Sequence, residues 1–291
     1  MSASQPVQEK ATPYYYIPEP SAYPVFVSVS MLITLIGAAL WINSYQTGFW
    51  LFITGITLLF IILYAWFGQA ITESEKGFNS KRVDVSYRWS MMWFIFSEVM
   101  FFSAFFGSLW YTRQITTPWL SNLDHQLLLW PGFIGTWPNL GPAGIVDAFK
   151  VVGPFWLPTI NTTLLLTSGL TLTIAHHALR ADRRQKAMFW LATTIVLGFV
   201  FVGCQAFEYY HAYTDLNLRF DSGAYGALFY MLTGFHGFHV ILGACFLTVI
   251  LMRLFRGHFT ADHHFGFEGA AWYWHFVDVV WLALYLFVYW F

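Results

Sequence analysis

Seven stretches of this sequence, 25–42, 49–67, 89–111, 160–179, 187–210, 225–252 and 267–291, run largely through apolar residues, the fourth least so. A helix needs about 20 such residues to cross the hydrocarbon core of a bilayer, where each backbone polar group must be satisfied within the segment. That condition leaves little choice of fold. The expected class is all-α, a polytopic integral membrane protein with seven transmembrane helices. The whole chain is 57% hydrophobic and only 10% charged, against about 25% charged in ordinary soluble domains, which excludes a soluble globule. A formal net charge of -1 offers no basic surface for nucleic acid. The fourth stretch is diluted by Asn161, Thr162, Thr163, Thr167, Ser168, Thr171 and Thr173, so it is expected to pack against protein rather than lipid.

Orientation follows from the Lys and Arg residues of the connections. One side collects Lys10, Lys76, Lys81, Arg82, Arg88, Arg180, Arg183, Arg184, Lys186, Arg253 and Arg256; the other holds Arg113, Lys150 and Arg219. The N-terminus is therefore placed inside and the C-terminus outside, as an odd number of spans requires. Residues 1–24 read as a cytoplasmic tail. They lack a basic segment followed by an apolar run and a cleavage site, so the first apolar stretch is expected to be a span itself. Residues 25–67 form a two-helix unit, 68–88 a charged and surface-lying cytoplasmic connection, and 89–291 a five-helix bundle. Residues 112–159, rich in Pro, Gly and Trp, are too polar to cross and read as a cap over the outer face of that bundle.

Polar groups inside the spans carry the chemical information. Glu98 lies among Met91, Phe94, Ile95, Phe101, Phe102 and Phe105 at helical spacing, so nothing on its own helix pairs with it. A charge at the bilayer centre costs about 2.5–3.5 kcal/mol on insertion scales, and the neutral acid is the expected form. It is either a packing device bonded across a helix interface or a functional carboxyl. His275 and Asp278, three apart, are expected to form a structural pair on one helix face. Glu208, beside Tyr209, Tyr210 and His211, is read as an interfacial hydrogen-bonding group.

Metal ligation finds little support in the spacing. Cys204 and Cys245 stand alone in apolar runs. His236 and His239 share a face without a carboxylate or Cys at ligand spacing on their helix. The adjacent pairs His176/His177 and His263/His264 diverge at helix ends, where imidazoles meet headgroups or last-turn carbonyls. Arg253, Arg256 and His258 make an anionic phosphate site or simple flanking charge.

The motifs FIFSEVMFF, NTTLLLTSGLTLTIAHHAL, QAFEYY, LTGFHGFHVILG and HHFGFEGAAWYWHFVDVVWLALYLFVYW together resemble subunit III of cytochrome c oxidase. The likeness runs from PSAYPV to the C-terminus. It implies a chain without a redox centre of its own, the haems and copper belonging to the catalytic subunit I and the copper-bearing subunit II, with cytochrome c as electron donor to a proton-pumping complex. It also implies a V-shaped arrangement of the two-helix unit and five-helix bundle with phospholipids in the cleft. Arg88, Arg253, Arg256 and His258 are the lipid-binding residues it suggests, and Glu98 matches the family's membrane carboxyl, associated with sustained turnover and proton uptake. The inner connection departs from the family pattern in lacking a His-Thr pair. The longer cap suggests a bacterial inner membrane, with the mitochondrial inner membrane as the alternative.

Other readings are subunit III of a quinol oxidase, a proton-coupled transporter using Glu98 and Asp278, and a haem protein using His236 and His239. The absence of an internal repeat weighs against an inverted-repeat transporter. The orientation has a direct check: a membrane-impermeant maleimide should label Ser44→Cys in intact cells and Asn79→Cys only after permeabilisation. The reverse pattern inverts the assignment.

Overall fold

The structure, a computed structural model, describes residues 20–290. The tail up to position 19, with Lys10, and the final residue of the last predicted span lie outside the described residues. The described residues are helical with irregular connections, and no strand occurs among them. The helices are α1 (Tyr23–Ile42), α2 (Gln46–Glu75), α3 (Lys81–Tyr111), the short α4 (Thr117–Leu120) and α5 (Leu123–Leu128), then α6 (Leu157–Arg180), α7 (Arg184–Thr214), α8 (Gly223–Arg256) and α9 (Phe265–Leu284). π-helical turns at Thr112–Thr116 and Tyr285–Trp290 extend α3 and α9. The described residues divide into two compact units, one up to Tyr87 and one from Arg88 onward.

In the first unit α1 and α2 pair closely because small residues meet at their crossing. A side chain at Gly55 would stand 2.5 Å from the Thr34 amide nitrogen, and one at Gly37 would run into the Phe52 backbone. Ser30 is buried at the same seam, its hydroxyl donating to Val27 O at 2.9 Å. Close backbone approach is the usual route to helix association where lipid removes the hydrophobic drive. The outer faces carry Val25, Phe26, Leu32, Phe60, Ile61 and Phe67 exposed, which suits contact with acyl chains.

Helix ends overshoot the predicted spans. The connection at 68–88 is mostly helical and mostly exposed, because α2 continues to Glu75 and α3 starts at Lys81. The polar part of α2 supports itself, with Gln69 donating to Glu73 at 2.8 Å and Thr72 to Gly68 O. Gly77, at φ 75°, stands just beyond its end. Apolar length marks where a helix meets lipid; it does not mark where the helix stops. At 1.5 Å per residue the 34-residue α8 is about 50 Å long, well beyond a hydrocarbon core of about 30 Å.

The second unit is built around α9. Trp274 and Trp281, both fully buried, are among its largest enclosed side chains. The Trp274 ring fits between Gly198 of α7 and Gly243 of α8, where an added Cβ would lie 2.6 Å and 2.8 Å from ring carbons. Its indole N–H donates to Ser168 Oγ on α6 at 2.9 Å, and the Trp281 N–H donates to Thr162 Oγ1 at 2.9 Å. Thus α6 meets α9 through hydroxyls that also donate to their own helix, Ser168 to Leu165 O and Thr162 to Pro158 O. Thr171 and Thr194 join α6 to α7 at 2.8 Å.

Six of the helical segments among the described residues are long and apolar enough to cross a membrane; α6 falls short of that measure. Its 24 residues are nevertheless one continuous helix, with Asn161, Thr162, Ser168 and Thr171 buried. These four polar residues face protein, whereas Thr163, Thr167 and Thr173 are exposed and donate to carbonyls of their own helix.

The segment between α5 and α6 covers the end of the unit where α7 finishes and α8 begins. Phe149 stacks on Tyr225 at 5.8 Å, Trp137 meets it edge-on, and Lys150 N–H donates to Leu216 O at 2.9 Å. Removing the central wedge should be expensive. Trp274→Ala is expected to destabilise the chain by about 3–5 kcal/mol, seen as a lower thermal midpoint in detergent, while Trp274→Phe should fall between the two.

Candidate functional site

Glu98, on α3, meets His239 on α8. Its Oε2 lies 2.9 Å from His239 Nε2, and His239 Nδ1 lies 2.6 Å from Phe235 O. A carbonyl only accepts, so Nδ1 carries a proton and donates. The second bond then needs one further shared proton: either the neutral acid donates to Nε2, or an imidazolium donates to a carboxylate. Phe101 and Phe102 flank the imidazole at 6.2 and 5.1 Å, and Tyr273 stacks at 6.3 Å. The carboxyl that has no partner on its own helix therefore has one on another. The motif FHGFH carried His239, but neither the FHGFH nor the FSEVMFF spacing reveals the pairing, which spans 141 positions.

His236 takes a different partner. Its Nε2 faces Val277 O at 3.2 Å, and the ring packs against Trp281 and Phe201. The two histidines of FHGFH thus direct Nε2 toward α9 and α3 rather than toward a common ligand position.

His275 and Asp278 are brought together at 3.4 Å, Nδ1 to Oδ2, and Thr173 of α6 approaches His275 Nε2 at 3.4 Å. Gly169 makes room for the carboxylate; a Cβ there would collide with Asp278 Oδ2. The group is shared between α6 and α9 rather than confined to one helix.

Glu208 departs from the interfacial role expected of it. It is fully buried, accepting from Tyr289 at 2.6 Å and from Gln205 Nε2 at 3.1 Å, while Gln205 Oε1 accepts from Asn161 Nδ2 at 3.3 Å. Tyr289 comes from the last turn of the chain, 81 residues away, so local sequence showed only the exposed-looking neighbours. Gln205 and Glu208 at i, i+3 in an apolar run were the available signal.

The cationic residues gather where α8 ends and α9 begins. Arg88 forms an ion pair with Glu268, and its guanidinium lies 5.6 Å over Phe265. Arg253 lies 4.5 Å over Phe259, and Arg256, in the last turn of α8, is exposed. His258 is partly buried one residue after Gly257, which at φ 85° terminates α8. Arg184 completes this end by donating to the Leu254 and Phe255 carbonyls, a capping role hidden in what the sequence displays only as a basic flank. Beside the same end, His176 and His264 converge on Glu268, although each looked like half of a divergent pair.

The comparisons with known proteins agree on one family. A family model described as cytochrome c oxidase subunit III matches residues 13–291. Cytochrome c oxidase subunit 3 of Carassius auratus is 41% identical over 277 residues, covering 95% of this chain and 96% of that protein. The corresponding proteins of Struthio camelus and Squalus acanthias are 39% and 40% identical with the same coverage. Matched along nearly its full length, this membrane protein belongs to the cytochrome c oxidase subunit III family.

Proposed function

We propose that the chain is a non-catalytic subunit of a proton-pumping oxidase, which packs beside the haem- and copper-bearing subunits I and II, holds phospholipids and steadies the core during electron transfer from cytochrome c to oxygen. The observation that carries this reading is that Glu98, His239, His236 and Asp278, the ionisable groups nearest the centre of the spans, each bond a neighbouring side chain or backbone carbonyl. Glu98 is bonded to His239, His239 to Phe235 O, His236 to Val277 O, and Asp278 to His275. A haem-ligating role for His239 would require it to give up one of these bonds, since both of its ring nitrogens are engaged.

Phospholipid binding draws support from the gathering of Arg88, Arg253, Arg256 and His258 near one end of the unit. Guanidinium groups suit phosphate because their forked donors engage two oxygens. Arg256 presents that fork at the surface, while Arg88 and Arg253 lie over aromatic rings. The setting we assign is a bacterial inner membrane, with the N-terminus and this cationic end inside.

Glu98 and His239 supply the proton-bearing group of the subunit. In an apolar surround the neutral pair, acid donating to imidazole, avoids separating two charges in a medium that solvates them poorly. Glu98 acts here as a positioning residue, not as a group that touches oxygen or cytochrome c.

Two measurements test the assignment. Purification through a tagged chain should bring down a haem-containing complex, whereas the isolated chain should be colourless; a Soret band in the isolated chain would overturn the non-catalytic reading. In the complex, Glu98→Gln should assemble, remove a protonated-carboxyl infrared band and shorten the time for which turnover is sustained. An unchanged band would falsify the neutral-acid form. Arg253→Ala combined with Arg256→Ala should lower the phospholipid retained per haem, and unaltered retention would exclude these residues as the lipid contact.

A further inference from the structure

Three side chains near the start of α9 have a relationship that the lipid reading does not use. His264 Nε2 lies 3.4 Å and His176 Nε2 3.9 Å from the same oxygen, Glu268 Oε1, and all three donor atoms fall within 4.8 Å of one another. Neither Nε2 makes a hydrogen bond, although both are enclosed. His264 is only 8% exposed. Two buried nitrogens aimed at one oxygen without bonding to it need an explanation, because buried polar atoms are normally satisfied.

The outer contacts of these residues fix which atoms are free to ligate. His264 Nδ1 donates to Thr260 O at 3.1 Å, which leaves the lone pair on Nε2 pointing inward. That is the orientation a metal-binding imidazole takes when its far nitrogen is held by a carbonyl. Arg88 pairs with Glu268 Oε2, so Oε1 is the oxygen turned toward the imidazoles. Phe267, 1% exposed, stacks on His176 at 5.4 Å and shields that side.

We propose that His176, His264 and Glu268 form a divalent-metal site of the kind zinc takes. Tetrahedral zinc has bonds of about 2.0–2.2 Å to imidazole nitrogen and carboxylate oxygen, which places its donors roughly 3.3–3.5 Å apart. The His264–Glu268 separation of 3.4 Å already fits. The His176 separation of 3.9 Å needs a small side-chain rotation. Two imidazoles and one carboxylate leave the fourth position to water, and the mixed nitrogen and oxygen set suits zinc better than magnesium or calcium. The site joins the last turn of α6 to the first turn of α9 and does not depend on the lipid-binding assignment.

The test uses the purified oxidase complex containing this chain, dialysed against zinc chloride, with bound zinc counted per haem. The parent complex should hold one more zinc than either His264→Ala or His176→Ala, and His263→Ala should match the parent. Arg88→Gln should bind zinc more tightly, since the guanidinium opposes a dication. Because a variant could fail to assemble, crystals of the unmodified complex soaked in zinc chloride provide a second reading, an anomalous peak between the three side chains. Equal zinc in parent and both variants, or no peak at that position, would overturn the proposal.

Discussion

The indole of Trp274 is the point on which the five-helix unit is organised. One flat ring occupies the gap that two glycines leave on α7 and α8, and its single polar atom is answered by a serine on α6. Four helices are thus fixed in distance by volume and in register by one hydrogen bond. Inside a membrane the apolar drive between helices is weak, so shape and polar matching must do this work. Each such hydrogen bond contributes about 0.6 kcal/mol on average by double-mutant cycles in a membrane protein, which makes close packing around the ring the larger contribution and the bond the source of specificity.

The same logic runs outward from the ring. Trp281 repeats the arrangement with Thr162, Asp278 reaches His275 and the space at Gly169, and Glu98 reaches His239. In each case a residue type that is costly against lipid faces a polar neighbour on the protein side. The hydroxyls of α6 serve twice, donating to their own backbone and accepting from α9. The polar residues of the spans are therefore a wiring pattern for helix assembly as well as candidates for function.

How much of this was legible in the sequence depends on the range of the interaction. Apolar runs disclosed six membrane-length helices, and the dilution of 160–179 pointed to a helix with one polar face turned toward protein, although Thr163, Thr167 and Thr173 remain exposed. The i, i+3 pair His275 and Asp278 was visible because helical spacing determines which side chains on one helix are neighbours. Glu98 could be recognised as unusual, yet its partner could not, because no rule of spacing links it to His239. Glu208 was misplaced for the same reason: its nearest partner in chain order suggested an interface, while Tyr289 encloses it. The helical continuation through 68–88 was not legible because hydropathy follows the bilayer and helix formation follows local backbone bonding. The convergence of His176, His264 and Glu268 required the ends of α6 and α9 to be adjacent, which only tertiary structure supplies.

The hydroxyl-rich face of α6 also bears on how the chain enters its membrane. A segment whose Ser168 and Thr162 oxygens accept from indole N–H groups on α9 gains little from lying alone in lipid. Only residues 181–183 separate it from the strongly apolar α7, so the two are suited to partition together as a hairpin. The waiting hydroxyls are then engaged only after synthesis reaches the final helix, and biogenesis closes from the C-terminal side.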